Sequence, residues 1–233
     1  MESDHNPITI ILADPNVLFR GALARLLDSL WDMEVVAETG DGLKVADLAM
    51  ELKPEVILSE IALEGCHGPM LAGLIKEHFP GVHIVFLTSD TDPDTLLSCI
   101  FAGASGYLYK DITPGELFLR IRGLRKGEAA MSLSTVATLI QRLNKHNSTF
   151  LLRTTPVEDL TAREIEIVAL VAQGLTNRKI GSLLNISENT VRNHLAAICQ
   201  KLNVRNRLQV AVYGVTHGLV DVYLLDYAPS SSV

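Results

Sequence analysis

Along the first half of the chain, short apolar runs alternate five times with stretches whose apolar positions recur every three or four residues. Uninterrupted apolar runs read as strands buried on both faces, and the periodic stretches read as helices that cover them. The predicted strands are Ile8 to Ala13, Glu34 to Glu38, Val56 to Ser59, Val82 to Leu87 and Gly106 to Tyr109. The predicted helices are Val17 to Leu30, Gly42 to Leu52, Met70 to His78, Pro93 to Ala102 and Pro114 to Lys126. Each strand is followed by a helix, so the pattern predicts an α/β doubly wound domain on a five-stranded parallel sheet. The last helix has a marked start, with Thr113 as cap, Pro114 in the first position and Glu116 placed to complete a capping box.

The period changes in the carboxy-terminal half. From Thr176 to Leu202 the chain reads as two helices joined by a tight turn at Asn185-Ile186. Thr176 caps the first, whose apolar positions are Ile180, Leu183 and Leu184, and Ser187 caps the second. Along the second helix Val191, Leu195, Ile198 and Leu202 form one inward stripe, which turns Arg192, Asn193 and Ala196 outward. Arg and Asn near the start of an exposed helix reach guanine and adenine edges, while Arg178, Lys179 and Lys201 suit phosphates. Spacing alone leaves an ordinary solvated helix pair as the alternative.

Charge separates the two halves. The chain of 233 residues has a net charge of −7, which by itself argues against a nucleic-acid binder. Residues 1–130 hold 10 Lys/Arg against 20 Asp/Glu, whereas residues 161–220 hold 7 against 3. Only the second segment is suited to approach phosphates. Cys66, Cys99 and Cys199 lie far apart and read as reduced thiols of a cytoplasmic protein; adjacent Cys66-His67 lack the partners a metal site needs. No signal-peptide pattern opens the chain, and no apolar run approaches the roughly 20 residues that span a bilayer, so no membrane partner is expected.

The ends of the predicted strands carry the candidate chemistry. Asp14 follows the first, Glu60 the third, Thr88 the fourth and Lys110 the fifth, and ligands of open parallel sheets bind at these carboxyl ends. Two carboxylates, a hydroxyl and an ammonium suit phosphoryl chemistry, in which an acid accepts the group, acids hold Mg²⁺, and the lysine and hydroxyl take phosphoryl oxygens. The alternative is that these are polar residues ending strands by default.

Two resemblances organise these readings. Residues 160–220 resemble the LuxR-type helix-turn-helix through Leu160-Thr161 with Arg163-Glu164, Gly174 to Asn177, Ile180, the Ser187 to His194 run, and Lys201-Leu202 followed by Val204, Arg205 and Arg207. The resemblance implies four helices. It puts the second helix of the motif, with Asn189, Thr190, Arg192 and Asn193, in the major groove of double-stranded DNA. It also implies a homodimer contact on the last helix, about Arg207 to His217; there apolar Leu208, Val210, Ala211, Val212 and Val215 exceed what one face needs for its own small core, and Leu208, Val212 and Val215 are the residues expected at the contact. Residues 8–126 resemble a response-regulator receiver domain in LADPNVLFRGAL, PEVILSEIALEGCHG, IVFLTS and GASGYLYKDITPGEL. Together they match the NarL/FixJ class of two-component transcription regulators.

The receiver departs from its family at the chemistry. The paired acids after the first strand are here Asp14 and Pro15, and the phosphoacceptor aspartate position is Glu60, while Thr88, Lys110 and the aromatic switch position Tyr107 are retained. Glu60 is one methylene longer than aspartate and is expected to reach into the phosphoryl space and pair with Lys110. Mg²⁺ demands near-ideal oxygen geometry, so binding through Asp14, Glu60 and the Ala62 carbonyl is expected to be weak. The expectation is a pseudo-receiver that needs no cofactor and no cognate histidine kinase. The alternatives are an ordinary kinase-driven regulator and an enzyme in the doubly wound domain; against the enzyme stand the missing glycine-rich loop in ADPNVLF and the lack of a nucleophile-base pair. Residues 127–159 read as a connector, with a helix over 133–145 and a Ser/Thr/Pro linker, and residues 221–233 as a tail.

Overall fold

A computed structural model describes residues 6–131 and 160–219. The predicted connector helix and the tail lie outside the described residues. The chain divides into two compact units, and each is taken by itself.

In the first unit the strands are β1 (Ile8–Ala13), β2 (Met33–Thr39), β3 (Val56–Ser59), β6 (His83–Thr88) and β7 (Gly106–Tyr109), all paired in parallel. The helices are α1 (Val17–Asp28), α2 (Gly42–Leu52), α3 (Gly68–His78), α4 (Pro93–Ala102) and α5 (Pro114–Leu124). Sheet order β2-β1-β3-β6-β7 steps outward in both directions from β1, so the chain winds helices onto both faces. Leu23 and Leu27 of α1 pack with Leu117, Ile121 and Leu124 of α5 over Ile10, Leu58 and Val85, which forms one half of the core. Polar caps fix the helix starts at the carboxyl edge of the sheet: Asn16 Oδ1 accepts from the Phe19 N–H at 3.0 Å, and Asp92 Oδ2 from the Thr95 N–H at 2.9 Å.

Three local features differ from the sequence expectation. A two-residue ribbon, β4 (Ala62–Leu63) with β5 (Cys66–His67), closes the turn after β3. A sixth strand, β8 (Ala130–Met131), pairs in parallel with β7 at Gly106 and Tyr107, so the domain runs past the expected boundary at residue 126. The capping box of α5 is half formed. Thr113 Oγ1 accepts from the Glu116 N–H at 3.4 Å, but the Glu116 carboxylate turns to Arg120 one turn along.

The second unit holds α6 (Ala162–Ala172), α7 (Asn177–Leu184), α8 (Glu188–Lys201) and α9 (Arg207–Thr216). Its core joins Ile167, Val168 and Val171 of α6 to Ile180, to the α8 stripe Val191, Leu195, Ile198 and the following Leu202, and to Val210 and Tyr213 of α9. The turn between α7 and α8 depends on close approach. Asn185 takes the left-handed conformation at φ 55°, and a Cβ at Gly181 would stand 2.7 Å from the Ile186 carbonyl oxygen. Leu183 is the exception to the predicted inward set, since it is 53% exposed.

Candidate functional site

At the carboxyl edge of the sheet the backbone brings Asp14, Glu60, Thr88 and Lys110 to the ends of four adjacent strands. The central group is the Lys110 ammonium. Its Nζ lies 2.6 Å from Glu60 Oε2 and 2.7 Å from Asp14 Oδ2, with both carboxylate side chains largely buried. The remaining oxygens are also occupied: Glu60 Oε1 accepts from the Ile61 N–H at 2.8 Å, and Asp14 Oδ1 from the Asn16 N–H at 2.7 Å. Burial pushes the Lys110 pKa down, but the hydrogen-bonded carboxylates of Asp14 and Glu60 outweigh it, and the net shift is upward. The Phe19 ring lies 4.5 Å from the same Nζ.

This arrangement extends the expected Glu60–Lys110 pair to three members. It also bears on Mg²⁺. The ammonium lies between the two acids that would have to hold the ion, Pro15 is exposed and brings no carboxylate, and exposed Ala62 is engaged in the small ribbon. Among the described residues no group of three or more acidic, His or Cys side chains is arranged to hold a metal ion. The residues present therefore do not fit Mg²⁺.

Thr88 and Tyr107 are both hydrogen-bonded to the loop after β6. Buried Thr88 accepts the Asp90 N–H on Oγ1 at 3.0 Å, and fully buried Tyr107 donates its hydroxyl to the Asp90 carbonyl at 2.9 Å. Burial, reinforced by the Asp90 carboxylate, drives the Tyr107 pKa far up, which keeps the hydroxyl a donor.

In the helical unit, Ser187 Oγ accepts from the Thr190 N–H at 3.0 Å and sets the start of α8. The Thr190 hydroxyl pairs with that of Ser187 at 2.8 Å, so it is partly committed to the cap. Arg178, Lys179, Asn189, Arg192 and Asn193 are exposed. Lys201 departs from its expected freedom. Its Nζ is 2.7 Å from Oε2 of Glu164, a residue only 5% exposed that also accepts the Thr161 N–H at 2.8 Å and the Thr161 hydroxyl at 2.9 Å. Lys201 thus ties the end of α8 to the start of α6. Arg207, which the sequence reading left without a role, donates to Asn177 Oδ1 and the Leu175 carbonyl before α7, and burial pulls its pKa down to about 10. The signal for both contacts is non-local, 37 and about 30 residues apart in sequence.

The residues expected at the dimer contact are buried in the single chain. Leu208, Val212 and Val215 are 4%, 0% and 7% exposed, while the α9 contributions to the helical core are Val210 and Tyr213.

The comparisons agree with this architecture. Residues 10–122 match the response regulator receiver domain, and residues 158–214 match the bacterial regulatory proteins of the luxR family. The transcriptional regulatory protein LiaR of Bacillus subtilis is 36% identical over 92% of this chain and 100% of its own length. The nitrate/nitrite response regulator protein NarP of Escherichia coli is 34% identical over 88% of this chain and 94% of its own. The crystal structure of ChrA, a response regulator of a heme-sensing two-component system, shares 32% identity at a TM-score of 0.50, covering 91% of this chain and 98% of that one. A receiver sheet followed by a helix-turn-helix unit, matched nearly end to end by such relatives, places this chain in the NarL/FixJ family of response regulators, as a DNA-binding transcriptional regulator with a LuxR-type helix-turn-helix.

Proposed function

We propose that this regulator binds specific DNA sequences as a homodimer and that its receiver holds its state without phosphorylation, as a pseudo-receiver with no catalytic role. The observation that carries this is the Lys110 ammonium, held at 2.6 and 2.7 Å between Glu60 and Asp14. A carboxylate that must accept a phosphoryl group needs a free oxygen and a neutralising cation. Here both Glu60 oxygens are engaged and the cation is part of the chain. No kinase or cofactor is required on this reading.

Arg192 and Asn193 read base edges, with Asn189 and Thr190 alongside, and Arg178 and Lys179 position the unit on phosphates; the outward exposure of α8 opposite its buried stripe supports this. Lys201 contributes chiefly by holding α8. A dimer through α9 requires that Leu208, Val212 and Val215 be uncovered.

The test is incubation with Mg²⁺ and acetyl phosphate followed by intact mass measurement. The expected result is an unchanged mass, with labelling appearing when Glu60→Asp and Pro15→Asp are combined. A stoichiometric, hydroxylamine-sensitive phosphoryl gain at Glu60 overturns the reading. Sedimentation of the protein alone and on selected DNA tests the dimer, and an unchanged monomer mass on DNA counts against it.

A further inference from the structure

We propose that the cleft between α1 and α5 is a binding site for a small uncharged apolar molecule of about one ring, and that its occupancy is sensed by the Asp14, Glu60 and Lys110 cluster through Phe19. The inference rests on the reading of a receiver that works without phosphorylation, for which it supplies an input.

The cleft has a volume of about 200 Å³. Its walls include Phe19, Ala22 and Leu26 of α1, Ile112 and Leu117 from the α5 side, and Lys110. An apolar cavity of roughly 150 Å³ is enough to take up benzene, so this space has room for one substituted or fused ring and is too small to enclose a whole peptide or nucleotide. Its floor is core, since Leu23 and Leu117 are buried, while Ala22 and Leu26 leave the mouth open.

Charge selects the ligand class. Among the described residues Lys110 is the one ionisable residue lining the cleft, and its ammonium is already matched by two carboxylates, which leaves the cluster with an excess negative charge. An anionic ligand finds no free cation there, and any charged ligand would lose hydration against apolar walls without a partner. A neutral ring meets neither cost.

Phe19 supplies the link. The same ring lines the cleft and lies 4.5 Å from the Lys110 Nζ. A molecule pressed against that ring shifts its position and excludes water from the ammonium, and so alters the field that Lys110 shares with Glu60 and Asp14.

The full chain, with labelled Ile and Leu methyl groups and labelled Lys side chains, is titrated with indole and benzyl alcohol as neutral probes and with benzoate as the charged one. Expected are saturable shifts of the Ile112 and Leu117 methyls with a Kd below about 1 mM for a neutral probe, accompanied by a shift of the Lys110 Nζ resonance. Ala22→Trp fills the cleft from an exposed position and should weaken binding by at least about tenfold. Shifts that stay linear, an affinity unchanged in Ala22→Trp, tighter binding of benzoate, or saturation without movement of Lys110 overturn the proposal. So does a failure of every probe to saturate while Ala22→Trp changes the sedimenting mass, which would mark the cleft as a contact between copies. Because no phosphodonor is present, the pseudo-receiver reading and this one fail independently.

Discussion

Lys110 and Lys201 occupy corresponding roles in the two units, each a cation where the family resemblance anticipates a phosphate, and each already bound to a carboxylate of its own chain. Lys179 and Arg192, in the same helical unit as Lys201, are exposed and form no ion pair among the described residues. The difference separates cations that hold the protein in shape from cations left open for a ligand. Lys110 is half-buried between acids whose every oxygen is matched, so nothing in the cluster calls for an outside group. On α8, Arg192 and Asn193 are left to solvent by a helix whose other face is fully used.

The sharpest way to break this comparison is to remove Lys110. Lys110→Met should leave two largely buried carboxylates without a counterion and destabilise the receiver by about 3–5 kcal/mol, measured by urea unfolding. Adding Glu60→Gln should recover part of that loss. A Lys110→Met protein of wild-type stability would show that the cluster is not an internal ion pair.

Next in size is Arg192→Ala. Loss of a bidentate base contact should remove about 1–3 kcal/mol of discrimination, read as a relaxed motif in selection from random DNA. An unchanged motif and affinity would remove Arg192 from the base-reading set.

The smallest effect belongs to Lys201, and it sharpens the comparison most. Lys201→Ala should lower stability by about 1 kcal/mol through the Glu164 pair, and leave the salt dependence of DNA binding nearly unchanged. Lys179→Ala should instead reduce the salt slope by about 0.9. The pair also predicts a pH response. Burial raises the Glu164 carboxyl, but the Lys201 ammonium and the Thr161 N–H and hydroxyl outweigh it, so its folded pKa lies below the ordinary 4.5. Its contribution is therefore complete above the unfolded value and is lost as pH falls through the folded one. Glu164→Gln should flatten the acid side of the stability profile below about pH 4.5.

The doubly wound order was readable because most strands are largely apolar runs, and β1, β3 and β7 have the bounds their composition predicts. The α8 stripe was equally legible, since its four apolar positions repeat at helical spacing and all are buried. Two-residue pieces such as β4, β5 and β8 carry too little pattern to be read. The Glu60–Lys110 contact followed from the length of the glutamate side chain. The second contact of Lys110, with Asp14, required the strand order as well. Lys201 and Arg207 look like surface cations in sequence because their partners lie a whole helix or more away. The apolar excess on α9 was visible, but what covers Leu208, Val212 and Val215 in one chain was not.

The short strand Ala130–Met131 has a consequence for how the receiver can be isolated. It lies along β7, where a Cβ at Gly106 would stand 2.5 Å from Ala130. A fragment ending at residue 126 uncovers the backbone donors and acceptors of Gly106 and Tyr107, and an unpaired strand edge is a template for aggregation. Cutting after residue 131 leaves that edge capped, so five residues decide between a dispersed domain and one that self-associates through its sheet.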